Sequence, residues 1–295
     1  MTNTSNTQQG ADYGAYVLTY KCPDQLGILA RVANLLYARG AFITEVAQYS
    51  DPYTRTFFSR MVFDDRSLAC AIDAFIAELN ELAGTLNMEY RLRPLSQKQR
   101  VLLAVSKEDH CLNVLLTKWR SGALPADIVG VISNHNDCRG LVEWYGIPYH
   151  HLPVTADTKT QQEAQITALM QQEKVDLLVL ARYMQILSDE LCSTLQGRAI
   201  NIHHSFLPSF KGARPYHQAH SRGVKVVGAT AHYVTADLDE GPILVQEVKP
   251  VSHTYTIEQL VHLGHDIEAT ALSNAVRLHC EDRVMLNGDK TVILQ

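Results

Sequence analysis

The chain has 295 residues, 46% hydrophobic and 19% charged, with a net charge of −5 at neutral pH. This composition excludes a disordered chain, and its mild acidity argues against nucleic acid or an anionic membrane surface as a partner. No apolar run approaches the roughly 18 residues of a membrane span, and the six cysteines are scattered without a C-x-x-C pair, which points to reduced thiols in the cytoplasm rather than a disulfide framework or zinc site.

Residues 1–13, rich in Thr, Asn and Gln, read as a mobile tail. Residues 15–20 read as a strand, and 22–25 as a break with helix-start chemistry. Leu26, Leu29, Val32, Ala33, Leu35 and Leu36 recur at helical spacing up to Gly40. Strands are expected at 42–49 and 55–63, joined by the Asp51-Pro52-Tyr53 turn. A helix at 68–83, ended by Gly84, precedes a last strand at 86–92. The order β-α-β-β-α-β describes a ferredoxin-like domain over 14–93. Polar residues 94–100 read as a linker, and 101–295 as a second domain.

There the pattern changes. Continuous apolar strands at 101–105, 128–132, 147–152, 177–181 and 199–202 alternate with helices near 110–121, 137–146, 159–173 and 188–196. That is the pattern of an α/β domain with a mostly parallel, Rossmann-like sheet. Two β-rich stretches (224–234 and 243–249), a long helix at 256–280 and a hairpin around Asn287-Gly288 complete it.

Ligands of open α/β sheets bind beyond the carboxyl ends of the strands. The strand at 199–202 ends in Asn201-Ile202-His203, and alternation puts Asn201 and His203 on one side. Pro208, Gly212 and Pro215 suggest that a rigid, irregular loop follows. Asp239 lies in an acidic turn, Ala236-Asp237-Leu238-Asp239-Glu240-Gly241-Pro242. An amide N–H can stabilise an oxyanion, an imidazole can shuttle a proton, and a carboxylate can orient the imidazole or activate water. Taken alone, the residues leave a second reading open: most histidines are structural, and most acidic Gly-Pro turns are only turns.

Asn201-Ile202-His203-x-Ser205-x-Leu207-Pro208, followed by Leu238-Asp239-x-Gly241-Pro242 with 38 positions from Asn to Asp (239 − 201), resembles the signature of the formyltetrahydrofolate-dependent formyl transferase family. The resemblance covers residues 100–280 and implies that Asn201, His203 and Asp239 are catalytic. Ala181-Arg182-Tyr183-Met184-Gln185-Ile186-Leu187 is similar to the segment whose backbone lines the pterin pocket. Implied substrate contacts are Met184, Gln185, Ile186, Leu187, His204, Val234 and Ala236. Three features resemble the hydrolysing branch of the family, the deformylases. His204 stands where the ribonucleotide transferases usually carry Pro. The loop Ser106-Lys107-Glu108-Asp109-His110 has no glycine to cradle a phosphate, and Glu108 and Asp109 would repel one, though Lys107 and His110 soften the argument. The N-terminal domain resembles an ACT domain, whose ligand loop maps onto Asp24, Gln25, Leu26 and Gly27.

The resemblance therefore implies hydrolysis of 10-formyltetrahydrofolate to formate and tetrahydrofolate, supplying formate for purine biosynthesis. It implies no cofactor and no metal, a homo-oligomer, and methionine or glycine as candidate effectors. Formyl transfer to an amine, a non-catalytic folate or amino-acid sensor, and a purely structural N-terminal domain stay open. His204 either closes the acceptor side or packs the loop. His232 reads as packing, and Lys211 and Arg214 as solvated charges rather than partners of the folate glutamate carboxylates.

Overall fold

A computed structural model describes residues 14–66, 68–205 and 215–295. The readings made for 1–13 and for Leu207, Pro208, Lys211, Gly212 and Arg214 lie outside the described residues. The chain divides into two compact units, one through Gln97 with Leu294–Gln295, the other Lys98–Ile293.

The first unit runs β1 (Ala15–Pro23), α1 (Ile28–Ala38), β2 (Phe42–Asp51), β3 (Thr56–Asp64), α2 (Ile72–Leu86) and β4 (Glu89–Pro94). Its four strands form an antiparallel sheet in the order β2-β3-β1-β4. Both helices lie on one face of it. Ile28, Val32 and Leu36 from α1 and Phe75, Leu79 and Leu86 from α2 pack on Leu18, Tyr20, Phe57, Met61 and Phe63. Both helix boundaries differ from the sequence reading. Gly27, at φ 86°, turns the chain so that α1 starts at Ile28, and Leu26 is left fully exposed instead of joining the apolar face. Gly84 lies within α2, because the buried series Phe75, Leu79, Ala83, Leu86 runs past it; the stop passes to Asn87 at φ 48°.

The second unit contains β5 (Gln99–Val105), α3 (His110–Arg120), β6 (Ala126–Ser133), α4 (Arg139–Trp144), β7 (Tyr149–His151), α5 (Lys159–Gln172), β8 (Leu177–Leu180), α6 (Asp189–Thr194), β9 (Ala199–His203), α7 (Pro215–Arg222), β10 (Val226–Tyr233), β11 (Ile243–Pro250), α8 (Ile257–Cys280) and the hairpin β12 (Val284–Asn287) and β13 (Lys290–Ile293). Gln99 and Arg100 belong to β5 rather than to a linker, and Gln99 is buried. Helix α7 starts where the sequence reading continued the loop through Pro215; proline suits the first helical position.

The sheet order is β11-β10-β9-β8-β5-β6-β7. Strands β9, β8, β5, β6 and β7 pair in parallel, and β10 and β11 are antiparallel additions. Leu103, Val179 and Ile200 face one way, toward Leu112 and Leu116 of α3 and Ala271 and Leu272 of α8. Leu102, Leu178 and Ala199 face the other way, toward Ile166 and Met170 of α5 and Leu191 of α6. The chain builds outward from β5 through β6 and β7, then returns to place β8 on its other side. The carboxyl ends of β5 and β8 are thus the topological switch point, where the crevice of an open α/β sheet lies. Among the described residues, no helix is long and apolar enough to cross a membrane.

Candidate active site

The crevice is built from backbone first. Strand β8 ends at Leu180, and Arg182 takes a left-handed conformation, φ 63°. The chain there crosses to Ser106 at the end of β5. The Ser106 N–H donates to the Arg182 carbonyl at 3.1 Å, and Ser106 Oγ accepts the Met184 N–H at 3.0 Å. Ser106 Oγ also donates to Asn134 Oδ1 at 2.8 Å. One buried serine thus pins the 182–187 segment across the switch point. The sequence reading did not single it out; its position one residue past an apolar strand was the available signal.

A cavity of about 400 Å³ opens against this segment. Met184, Gln185, Ile186 and Leu187 line one side, and Val234, Ala236, Leu238 and Asp239 another. Asn201, His203 and His204 come from β9 and its exit. The cavity therefore brings together all ten residues expected at the site, seven as substrate contacts and three as catalytic groups. Its size and mixed lining suit a ring system with a few fixed polar contacts.

Asp239 reaches the site from the turn between β10 and β11. It has φ 60°, unusual for a residue with a Cβ. Gly241 lets this turn lie on β10: a Cβ there would come within 1.7 Å of the Tyr233 carbonyl oxygen. The Tyr233 N–H donates to the Pro242 carbonyl at 2.9 Å and closes the turn. Asp239 Oδ2 then lies 3.2 Å from His203 Nδ1, and His203 Nε2 lies 2.8 Å from Ser205 Oγ. The N–H of His203 holds the Asp239 carboxyl well below the usual carboxylate range, against the smaller opposing effect of burial. Asp239 is therefore ionised throughout the physiological range.

His232 is buried, as its packing assignment implies, but it also touches the site. Antiparallel pairing of β9 with β10 sets it directly opposite Asn201. Its Nδ1 lies 2.9 Å from the Tyr233 carbonyl, which can only accept, so Nδ1 carries the proton. In the neutral ring Nε2 is then an acceptor, 3.3 Å from Asn201 Nδ2. That bond turns the amide so that its NH₂ group faces His232 and leaves a second N–H for a ligand. Asp239 Oδ1 lies 3.7 Å from the same Nε2. Only the cross-strand register could have revealed this contact.

His204 lies against His203, ring centroids 5.0 Å apart and edge to face. Burial, together with the nearby Arg182 and His203, lowers its pKa to about 4, so it is neutral at pH 7. Behind it stands a charge cluster. Arg182 Nη2 lies 2.8 Å from Glu108 and its Nε 3.4 Å from Glu268. Glu268 also receives His110 Nε2 at 2.9 Å and the Tyr216 hydroxyl at 2.7 Å. Burial works against the Glu268 charge, but His110, Arg182 and Tyr216 outweigh it and hold the carboxyl below its ordinary value. Glu108, His110 and His265 lie close enough to hold a cation, as do His110, Cys111 and Glu268, but the carboxylate of each group is already paired with the Arg182 guanidinium.

Comparison with known proteins places the chain. Residues 99–276 match the formyl transferase family. A formyltetrahydrofolate deformylase of Corynebacterium sp. (strain P-1) is 52% identical over 95% of this chain and 98% of its own. The crystal structure of a formyltetrahydrofolate deformylase from Burkholderia mallei superposes with a TM-score of 0.92 at 47% identity, covering 96% of this chain and 100% of that one. A glycinamide ribonucleotide transformylase from Symbiobacterium toebii, 33% identical, superposes at 0.63 over 67% of this chain and 95% of its own.

Proposed function

The chain belongs to the formyltetrahydrofolate deformylase family, and from that membership we propose how its residues divide the work. The enzyme hydrolyses 10-formyltetrahydrofolate to formate and tetrahydrofolate. One observation carries the assignment of roles: Asn201, His203 and an ionised Asp239 converge on one cavity at the switch point.

In this reading the pterin lies against Met184, Gln185, Ile186 and Leu187 and against Val234 and Ala236. The formyl group sits between Asn201, His203 and Asp239. Water attacks the formyl carbon, and the free Asn201 N–H donates to the developing oxyanion. With so low a pKa, Asp239 is a weak base on its own. The Asp239–His203 pair accepts the water proton, the carboxylate stabilising the imidazolium that forms. The bond from carbon to the folate nitrogen breaks, and the pair returns the proton to that nitrogen. The second water proton leaves with formic acid, which ionises. No cofactor enters this scheme.

The first unit, read as an ACT domain, would bind methionine or glycine at the loop of Asp24, Gln25, Leu26 and Gly27. Three of these are exposed and Gly27 is half-buried, so a binding pocket there needs a second surface. A homo-oligomer would supply it. The six free cysteines, five of them buried, favour a reducing cytoplasm.

The deciding experiment follows formate release from 10-formyltetrahydrofolate without any acceptor, for the wild type and Asp239→Asn. The wild type turns over; Asp239→Asn binds folate but loses turnover by about 10³-fold or more. Near-normal formate release by the variant would remove Asp239 from the mechanism.

A further inference from the structure

Resting on the hydrolytic reading, we propose that the cluster of Glu108, Arg182, Glu268 and His110 selects the nucleophile: it closes the site to amines carried on anionic groups and leaves water as the attacking species. A related transformylase shares the fold, so something in this chain must decide which nucleophile reaches the formyl carbon.

The geometry separates two sides. Tyr183, Leu187, Cys192 and Val234 line the folate cavity and belong to the core shared with α5 and α6. The cluster comes from the opposite face, from the β5–α3 loop, α7 and α8. Arg182 belongs to both, lining the cavity while binding Glu108 and Glu268, with His204 beside it. An acceptor entering from the face away from the folate meets this barrier.

The barrier is stiff because its charges are spent on each other. Glu268 is 1% exposed and has partners on both oxygens. Tyr216 reaches it only because α8 carries Gly264, where a Cβ would lie 2.1 Å from the tyrosine ring. The His265 ring stacks on His110 at 4.0 Å and backs that side. Displacing Arg182 would strand the buried Glu268 charge. The charge balance is also unfavourable to anions: three carboxylates, Glu108, Glu268 and exposed Asp109, stand against the Arg182 guanidinium and exposed Lys107, and the His110 ring is already engaged by Glu268. A phosphate or carboxylate on an incoming amine would be repelled and would lose its hydration without compensation. Water, small and uncharged, meets neither obstacle. The suppressed reaction is balanced: the amine nitrogen bonds to the formyl carbon, the bond from carbon to the folate nitrogen breaks, and the amine proton passes to that nitrogen.

The test supplies 10-formyltetrahydrofolate with 2-aminoethyl phosphate, or with uncharged glycinamide as a control, and measures formate and N-formyl product. The wild type should yield formate alone. In Glu108→Gln and Glu108→Lys the ratio of N-formyl product to formate from the phosphate-bearing amine should rise at least about tenfold, with little change for glycinamide. Glu108 is half-exposed, so these variants should fold, and their acceptor-free formate release reports an intact site. Glu268→Gln should act the same way; should it not fold, the Glu108 variants decide. Variants that hydrolyse normally with an unchanged ratio would overturn the proposal, as would equal gains for both amines. A wild type that releases no formate without an acceptor would instead sink the hydrolytic reading.

Discussion

Asp239 holds a left-handed backbone at φ 60°, which costs a residue with a Cβ on the order of 1 kcal/mol. Such strain persists where the surroundings impose it, and here it aims Oδ2 at His203. Asn201 is positioned without strain, by the acceptor nitrogen of His232. If its N–H stabilises the oxyanion, Asn201→Ala should lower kcat by about 10²–10³-fold; a loss confined to KM would make it a binding residue. His204 makes a pH prediction. Its pKa falls from 6.5 to about 4 on folding, so the folded state excludes a proton that the unfolded chain accepts. Its contribution is fully present above pH 6.5, and stability is lost as pH falls from there toward 4. His204→Gln should therefore flatten the decline of the melting temperature across that window. An identical decline in the variant would place a solvated, ordinary histidine at this position.

Elements matter here through their ends and their pairing. The 235–242 turn works as a unit because it is pressed onto β10 and closed by Tyr233 and Pro242. Gly241→Ala forces a methyl group into the Tyr233 carbonyl, a backbone atom that cannot rotate away. The expected cost is about 1–3 kcal/mol in urea unfolding. Turnover should fall with it, because Asp239 moves with the turn. Wild-type stability together with wild-type turnover would show that the turn tolerates displacement. The carboxyl ends of β5 and β8 contribute through Ser106, which ties the folate-facing segment to the sheet. The antiparallel strand β10 contributes His232.

At the scale of the whole molecule, the two units carry separate claims. The second matches the formyl transferase family and is proposed to hold the chemistry; the first is proposed to bind an amino acid. Titrating formate release with each free amino acid tests this, with methionine or glycine expected to shift it and Gly27→Val expected to abolish the response. No response to any of them would leave the first unit a structural module. Much of this was legible in the chain. Period-two and period-3.6 patterns marked the elements, since burial on one face imposes those periods whatever the partner. Asn201, His203 and Asp239, and the residues from Met184 to Leu187, were legible as candidates because their motifs carried the family resemblance, and the structure brings them to one cavity. Helix ends were less so: Leu26 and Gly84 follow the local rules, yet a left-handed Gly27 and a continuing apolar face decided otherwise. What only the tertiary structure decided is the contact between distant positions. His232 meets Asn201 through the register of two antiparallel strands, and Glu268 meets Arg182, His110 and Tyr216 across helices far apart in sequence. Local periodicity records which face of an element is buried. It does not record which element is buried against it, and a charge network depends on that pairing.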